Sequence, residues 1–308
     1  MTASNTILSR RELLQWTIAG ATAGVLRVDL RADDTVNADV DPDLIVLLSD
    51  PHIAADAKAV SRDVVMTDHL TRVVAAIVAL KPRPACVVIN GDLALKSGEA
   101  GDYAQLAALL APLAEARIPC VLGLGNHDHR ERFRQQKRLH HGLVTSSDAE
   151  AWHATWVQLE RASLLMLDTL EVTDAVPGRL GEVQLEFLDE MLRQAAARDK
   201  PTLVFLHHPA TPDDPATTPN LRDHEAFWAV IDQYPHVRAV CYGHLHRWAL
   251  ERRGKVHHIS LPATSYVFRV GEPVACVHAR LSDDSLQLTL HSLTPHRDHA
   301  RTVALPLT

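Results

Sequence analysis

The chain has 308 residues, of which 46% are hydrophobic, and its formal net charge is −7. This length and composition can bury one sizeable core, and no long linker or low-complexity tract divides the chain. The acidic balance speaks against a nucleic-acid binder, because such proteins carry a basic surface that neutralises phosphates. No apolar run approaches the roughly 20 residues that are needed to span a bilayer. We therefore expect a single globular domain.

The first forty residues differ from the rest of the chain. The stretch SRRELLQ (9–15) places two arginines ahead of a mild apolar run, which resembles a twin-arginine export signal. The alternative is an ordinary helix start in a protein that stays in the cytoplasm, because Ser9 and Glu12 have the spacing of a capping box. We therefore interpret residues 1–40 as an export signal or flexible leader and residues 41–308 as the domain.

From residue 43 onward, short strands alternate with helical patterns. Seven runs rich in Val, Ile and Leu, bounded by Pro or Gly, are typical of buried strands: Leu44–Leu48, Cys86–Ile89, Cys120–Leu124, Leu164–Leu167, Leu203–Leu206, Ala239–Tyr242 and Val256–Ser260. Helical periodicity is found at 62–80, 100–117 and 181–199. After Pro273, the stretches VACVHARL and LQLTLHSL predict an antiparallel hairpin that closes a second sheet. The alternation predicts an α/β fold.

Polar residues follow five of these strands at the point where each strand ends. They occur in the short motifs DPH, GD, GNHD, HHP and GHLH, within a chain that has 19 histidines in total. In open α/β sheets, sites form beyond the carboxyl ends of the strands, so we expect these side chains to converge. The candidates are Asp50, His52, Asp92, Asn126, His127, Asp128, His207, His208, His244 and His246.

The chemistry of this set favours metal binding. Carboxylate, amide oxygen and imidazole suit borderline divalent metals, and one ion takes only three or four protein ligands, so the set fits two ions. Two neighbouring ions need a bridging ligand, and Asp92 stands alone on its strand with two carboxylate oxygens. Gly91, Gly125 and Gly243 each precede a candidate ligand, where the backbone has to turn sharply and pass close to its neighbours.

Each of these motifs is weak when taken singly. A lone buried Asp or His is usually a structural polar group, and the HH dipeptide alone occurs at 140–141, 207–208 and 257–258. The hypothesis depends on five motifs in a fixed order, each at the end of a predicted strand.

This order of motifs resembles that of the calcineurin-like metallophosphoesterases, whose pattern is complete here between residues 44 and 246. The resemblance implies a four-layer α-β-β-α sandwich, in which two mixed β-sheets are flanked by helices and the metal site lies at the carboxyl ends of the strands. It also implies two divalent metal ions drawn from Mn, Fe, Zn or Co. The ligands of one ion would be Asp50, His52, Asp92 and His246, and those of the other Asp92, Asn126, His207 and His244.

The same resemblance implies roles for the residues around the metals. His127 would contact the phosphate beside Asn126 and protonate the leaving group, and Asp128 would orient the His127 imidazole. His208 would lie behind the ligand His207. Arg130 is a candidate phosphate clamp, and its alternative is a solvated arginine at a helix start.

The implied activity is hydrolysis of a phosphoester by attack of metal-bound hydroxide. Leu95 stands where purple acid phosphatases have a tyrosine ligand, and GDLALKSG does not match the GDxVDRG of protein serine/threonine phosphatases. The stretches GNHDHR and GHLHR are similar to those of the class III cyclic-nucleotide phosphodiesterase and glycerophosphodiesterase branch, with His129 as a departure from its usual Asp. We therefore expect a phosphodiesterase of a small phosphoester without a nucleic-acid partner. The alternatives are a broad-specificity phosphomonoesterase and a non-catalytic metal-binding scaffold.

Overall fold

The computed structural model describes residues 27–29, 39–140, 152–211 and 220–307. The strands in chain order are β1 (Arg27–Asp29), β2 (Val40–Leu48), β3 (Val60–Ser61), β4 (Val64–Val65), β5 (Arg83–Ile89), β6 (Cys120–Leu122), β7 (Thr155–Gln158), β8 (Ser163–Met166), β9 (Thr202–Phe205), β10 (Val237–Tyr242), β11 (Ala249–Arg253), β12 (Val256–Ser260), β13 (Ala275–Leu281), β14 (Ser285–Ser292) and β15 (Thr302–Pro306). The α-helices are α1 (Met66–Ala79), α2 (Ala100–Glu115), α3 (Arg130–Gln135), α4 (Glu182–Ala196) and α5 (His224–Ile231).

Two mixed β-sheets contain all of these strands except the short hairpin β3–β4. The seven-stranded sheet has the order β1-β7-β8-β9-β10-β12-β11, and β8, β9, β10 and β12 run parallel to one another. The six-stranded sheet has the order β15-β14-β13-β2-β5-β6, in which β2, β5 and β6 are parallel and the β13–β15 side is antiparallel.

Three apolar clusters show how the layers stack. On β2, Val46 and Leu48 pack towards α1 and α2, whereas Ile45 and Leu47 pack into the cluster between the two sheets. This division follows from the strand period, because successive side chains point to opposite faces. A third cluster joins the outer face of β9 and β10 to α4 and α5. The four-layer α-β-β-α sandwich is therefore confirmed.

The predicted elements are largely confirmed, with one helix boundary wrong. Helical periodicity at 62–80 predicted a helix from Arg62, but α1 begins at Met66. Arg62 and Asp63 form the turn of the β3–β4 hairpin instead, both with positive φ, and the β-branched Val64 and Val65 extend its second strand. Among the described residues, every helix is too short or too polar to cross a membrane.

Of the predicted leader, residues 1–40, the structure describes residues 27–29 and 39–40. Most of residues 1–40, including the two arginines of the candidate export signal, lies outside the described residues. Arg27–Asp29, which the sequence analysis placed in the leader, forms β1 and pairs in parallel with β7 at the edge of the seven-stranded sheet. Val40, the last residue of the predicted leader, begins β2, so the leader and the fold overlap at β1 and at the start of β2.

Candidate metal centre

The predicted ligands follow the carboxyl ends of the parallel strands of both sheets. Groups of ligand atoms that lie within 4.8 Å of one another bring together six of the seven predicted metal ligands: Asp50, His52, Asp92, His207, His244 and His246. The seventh, Asn126, is buried and precedes His127, whose backbone N–H donates to Asp92 Oδ1 at 2.9 Å. The two sheets meet here, because Asn90 after β5 donates its side-chain amide to the Leu206 carbonyl after β9 at 3.0 Å.

Three of the histidine rings are oriented by backbone carbonyl groups. In each ring Nδ1 lies against a carbonyl oxygen, which leaves Nε2 for the centre of the cluster, as in histidines that bind metals. The pairs are His52 with Leu95 at 3.2 Å, His207 with Asn90 at 3.1 Å and His246 with Tyr266 at 2.6 Å.

Asp50, His52 and His246 form one group of donors. The two Nε2 atoms of the histidines lie 3.1 Å apart, and His246 Nε2 lies 3.4 Å from Asp50 Oδ1. Because both Nδ1 atoms face carbonyl oxygens, their protons lie there and both Nε2 atoms carry lone pairs. Two lone pairs that face each other beside a carboxylate repel, and a cation between them removes the repulsion. The arrangement therefore fits a metal ion.

A second group of donors has buried polar atoms with no hydrogen-bond partner among the described residues. These atoms are Asn126 Oδ1 and His244 Nε2. His207 Nε2 approaches Asp92 Oδ2 at 3.3 Å without the geometry of a hydrogen bond. Buried polar atoms are rarely left unpaired, so these donors fit a ligand that the protein binds, and their types suit a divalent metal.

Asp92 lies between the two groups. Its Oδ2 is 3.6 Å from His52 Nε2 in the first group and 3.3 Å from His207 Nε2 in the second. One carboxylate is therefore shared by histidines of both groups, as the sequence predicted for a bridging ligand.

The charges of these side chains also suit metal ligation. Burial lowers the pKa of His52 to about 4. Asp92 opposes this effect, whereas His246 adds to it. Burial and then His207 lower the pKa of His244 to about 3. For Asp92, burial alone would raise the pKa, but His207 and His52 hold it well below its usual value. His52 and His244 are thus neutral imidazoles beside an ionised carboxylate, which is the state in which these groups bind metals. His207 differs, because burial lowers its pKa but Asp92 and Asp50 raise it to about 9, so a metal ion would have to displace a proton from this ring.

The glycines before the ligands are required by close contacts. A Cβ on Gly125 would lie 2.2 Å from Asp92 Oδ1, and one on Gly243 would lie 2.5 Å from Asp50 Oδ2. Gly91 has φ of +81° and its Cβ would lie 2.5 Å from His207 Nδ1. Any side chain at these positions would displace a candidate ligand, so the predicted role of these glycines is confirmed.

The prediction that Asp128 orients the His127 ring is wrong. Both oxygens of the buried Asp128 carboxylate are used within the loops around it. They accept hydrogen bonds from the backbone N–H groups of Leu93, Ala94 and Gly125 and from the Tyr103 hydroxyl. Asp128 therefore ties the GD loop to the GNHD loop.

The His127 ring is positioned by other groups. Its Nδ1 lies 2.7 Å from the Lys96 carbonyl oxygen and 3.3 Å from Asp174 Oδ1. Asp174 is in turn held by its backbone N–H, which donates to the Asn126 carbonyl at 2.7 Å. Sequence reasoning missed Asp174, because it lies 47 residues from His127 in a segment without a motif.

Arg130 has partners that neither interpretation anticipated. It begins α3, and its side chain is mostly covered. Its Nε lies 2.6 Å from Asp168 Oδ2, and a second nitrogen donates to Asp168 Oδ1 and to the Leu170 carbonyl. Asp168 is fully buried, so this pair links α3 to the end of β8. The geometry favours a structural role for Arg130, and a phosphate contact stays a prediction.

Several further residues support the centre from behind the ligands. His208 lies beside His244 with ring centroids 4.7 Å apart, and its Nδ1 is 2.7 Å from Thr169 Oγ1. Ser265 donates its hydroxyl to the Asp50 carbonyl oxygen at 2.6 Å. Ser265 belongs to the stretch LPATS, which follows β12 and which the sequence offers, beside GHLHR, as similar to the class III branch.

Comparison with known proteins agrees with this geometry. Residues 44–248 match the model of the calcineurin-like phosphoesterase family. A probable cyclic nucleotide phosphodiesterase of Rhodopseudomonas palustris is 36% identical over 66% of this chain and 71% of its own length. A 3′,5′-cyclic-nucleotide phosphodiesterase of Nostoc sp. is 29% identical over 74% of this chain and 80% of its own length.

A solved structure shares the fold. The crystal structure of a dimetal phosphatase from Danio rerio superposes with a TM-score of 0.66 at 17% sequence identity, covering 87% of this chain and 100% of that one. The motifs, the layered fold and the match to the family lead to one conclusion. The chain belongs to the calcineurin-like phosphoesterase family of metal-dependent phosphoric ester hydrolases.

Proposed function

We propose that the protein is a dinuclear phosphodiesterase that hydrolyses 3′,5′-cyclic nucleotides. The observation that carries the two-metal part is the position of Asp92 Oδ2, which lies within 3.6 Å of His52 Nε2 and 3.3 Å of His207 Nε2. The substrate class is supported by two relatives whose names specify cyclic-nucleotide phosphodiesterases. It is also supported by the stretches GNHDHR and GHLHR of the chain itself.

The donors divide into two sets around Asp92. Asp50, His52 and His246 would hold one ion with Asp92, whereas Asn126, His207 and His244 would hold the other. Bound divalent ions in such a pair neutralise phosphate charge and lower the pKa of water. With that chemistry available, the chain needs no serine or cysteine nucleophile. Its four cysteines are buried, and burial raises the pKa of each thiol, to about 12 for Cys86 and Cys276.

His127 is the residue with the geometry to assist the leaving group. Its side chain is 27% exposed, whereas the predicted metal ligands are buried. Because Nδ1 is held by the Lys96 carbonyl and Asp174, Nε2 is the nitrogen available to a bound phosphoester. A proton delivered from Nε2 to the departing alkoxide would complete cleavage of the ester bond.

The experiment that tests this proposal combines metal analysis with kinetics. Purified protein is stripped with a chelator, reloaded with Mn²⁺ and assayed on cyclic AMP, while bound metal is counted by mass spectrometry. Two ions per chain and activity that returns only with metal are expected. Fewer than two ions with full activity would contradict the dinuclear proposal.

A pair of variants tests whether Asp92 is the bridging ligand. Asp92→Asn keeps the shape of the side chain but removes its charge, so it is expected to lower kcat by roughly 100-fold or more and to reduce bound metal. Asp232→Asn is the matched control, because that carboxylate is exposed and pairs with Arg253. Equal behaviour of the two variants would count against a bridging role.

Ester preference separates diesterase from monoesterase activity. Bis(p-nitrophenyl) phosphate and p-nitrophenyl phosphate share one leaving group, so the ratio of their kcat/KM values reports preference for the phosphoryl group. A diester preference is expected. A strong monoester preference would contradict the diesterase assignment and support the phosphomonoesterase alternative.

We also propose that the protein is exported through its twin-arginine-like segment. The support is the sequence SRRELLQ followed by a mild apolar run. Metal loading is compatible with that route if the folded protein is carried across the membrane.

A further inference from the structure

An arginine and two aromatic rings form a rim directly beside the candidate metal centre. The Tyr266 ring centroid lies 5.1 Å from that of His52 and 5.0 Å from that of His246. Phe268 stacks on His246 with centroids 4.2 Å apart and planes 26° apart. The guanidinium of Arg62 lies over Phe268 at 4.8 Å and over Tyr266 at 5.7 Å. We call these three residues, Arg62, Tyr266 and Phe268, the Arg62 rim.

The backbone under Arg62 is held in an uncommon conformation. Arg62 and Asp63 connect β3 to β4 with φ of 48° and 62°, although neither is a glycine. Such a two-residue turn needs positive φ at both positions, which costs side-chain-bearing residues about 1 kcal/mol each. β4 continues directly into α1, whose Met66 and Leu70 are buried in the core. The hairpin therefore presents Arg62 from a fixed base.

The guanidinium of Arg62 has unused binding capacity. Among the residues that the structure describes, its contacts are with the two ring faces, and it forms no ion pair or hydrogen bond. The rim is open to solvent, since Phe268 is 48% exposed. A guanidinium held over aromatic rings keeps its second face and its N–H donors available.

We propose that the Arg62 rim is the subsite for the nucleobase of the substrate, which lies against the free face of the Arg62 guanidinium. This inference rests on the cyclic-nucleotide function proposed above. A cyclic nucleotide has a single phosphate, and that group is taken up by the metal centre. The base, one ribose away from the phosphorus, remains to be recognised.

The chemistry of the rim favours a base over a second anion. Nucleobases stack on planar guanidinium groups as well as on aromatic side chains, and the Arg62 guanidinium lies 4.8 Å from the centroid of Phe268, which itself stacks on His246. A second anion is disfavoured because Asp63 follows Arg62 directly in the two-residue turn and adds a negative charge to it. Stacking tolerates any base, so the rim predicts affinity for the base without strong choice between purines.

The test compares two substrates that differ only in the base. Cyclic AMP is assayed beside the 3′,5′-cyclic phosphate of methyl riboside, which has the same phosphodiester ring and no base. Arg62→Ala is expected to lower kcat/KM for cyclic AMP by roughly 5- to 100-fold, mainly through a higher KM, because the stacking contact between the guanidinium and the base is lost. On the base-free substrate, Arg62→Ala is expected to match the wild type. Arg193→Ala is the control, since Arg193 is an exposed arginine on α4.

A second variant separates stacking from charge. Arg62→Lys keeps the positive charge but lacks the planar face, so it is expected to behave like Arg62→Ala on cyclic AMP. Recovery of wild-type kinetics by lysine, or an equal loss on both substrates, would mean that Arg62 contacts the phosphate and would overturn the base subsite. Unchanged kinetics of Arg62→Ala on cyclic AMP would overturn it as well.

Failure of the proposed function would look different. Wild-type protein that cleaves bis(p-nitrophenyl) phosphate but neither cyclic phosphate would overturn the cyclic-nucleotide function and the base subsite together. Wild-type protein that cleaves both cyclic phosphates with equal kcat/KM would keep the function and overturn only the subsite.

Discussion

The metal centre is built from residues whose backbone conformation is unusual. Five of the seven predicted ligands have φ between 47° and 66°, which is the left-handed region that side chains disfavour: Asp50, His52, Asp92, His244 and His246. Each such residue costs on the order of 1–2 kcal/mol. Backbone hydrogen bonds hold the strain in place, since the N–H groups of Asp50 and His52 donate to the carbonyls of Gly91 and Asp92. The conformation turns both side chains inwards directly after a strand, which a regular extended strand could not do.

The glycines provide a direct test of this packing at the residue scale. Gly91 and Gly254 both have positive φ, but a Cβ on Gly91 would meet His207, whereas nothing lies within 4 Å of the position on Gly254. Substitution by alanine at either position is expected to lower the free energy of unfolding by about 1 kcal/mol through backbone strain. Only Gly91→Ala is expected to lose metal binding and activity as well. Chemical denaturation and metal counting on both variants measure the difference, and a Gly91→Ala protein with the metal content of the wild type would contradict the tight packing.

The buried carboxylate of Asp128 provides a second test. An amide in its place has one acceptor oxygen, so Asp128→Asn leaves two of the four donors without a partner in either orientation. We expect a loss of about 2–4 kcal/mol in the free energy of unfolding. Tyr103→Phe removes a single hydroxyl group and is expected to cost less. A fully stable Asp128→Asn protein that has lost activity would instead support the catalytic role predicted from the sequence.

At the scale of elements, the sequence predicted buried strands better than exposed ones. The seven predicted strands are all present, because their Val- and Ile-rich runs lie in two buried sheets. β11 was missed because its sequence, ALERR, is charged and its last three residues are exposed at the edge of a sheet. β7 was missed although it is buried, since TWVQ is short and has polar residues at both ends. Short strands depend on pairing with a neighbour, and pairing is not visible in local sequence.

In the candidate site, residues within local motifs were predicted, whereas their partners from distant parts of the chain were missed. The candidate ligands were predicted because each follows a strand in a recognisable motif. The partners of His127 and Arg130, which are Asp174 and Asp168, come from loops far away in sequence. Tertiary packing decides which side chain orients another, and it is not visible in the sequence. The sequence therefore predicted that Asp128, the next residue in the chain, orients the His127 ring.

The β13–β14 hairpin contains a histidine pair that predicts pH-dependent stability. His278 and His291 lie diagonally across the two strands with ring centroids 3.8 Å apart. Burial, then His291 and Arg280, lower the pKa of His278 from 6.5 to about 4. Between these values the unfolded chain binds a proton that the folded chain does not, so the free energy of unfolding falls as the pH drops from 6.5 towards 4.

Replacement of His278 by glutamine removes this titration. We expect His278→Gln to flatten the decline in stability between pH 6.5 and 4 by about 2 kcal/mol, less than the full linkage because the ring is partly exposed. Urea denaturation of the variant and the wild type at several pH values measures the contribution of His278. The comparison separates it from that of other buried histidines, such as His258, which are present in both proteins. Parallel pH profiles for the two proteins would contradict a neutral, half-buried His278.

At the scale of the whole molecule, the centre depends on the docking of the two sheets. Asp50 and Asp92 follow strands of the six-stranded sheet, whereas His207 and His244 follow strands of the seven-stranded sheet. Asn90 links the two through its bond to the Leu206 carbonyl, and Ser49 lies against Gly243. Neither sheet alone can assemble the donor set. Metal loading therefore requires the completed fold, and bound metal in turn stabilises that fold by mass action.

This dependence gives the proposed export route a testable consequence. A protein that binds its metals only after folding is suited to a route that carries folded proteins, which is what a twin-arginine segment specifies. We expect Arg10→Lys/Arg11→Lys to keep the protein in the cytoplasm of a bacterial host, folded and with its metal content unchanged. The wild type and the control Arg193→Lys are expected outside the cytoplasm, as measured by fractionation and activity. An identical distribution of all three proteins would contradict an export function of the SRRELLQ segment and would favour the alternative of an ordinary helix start.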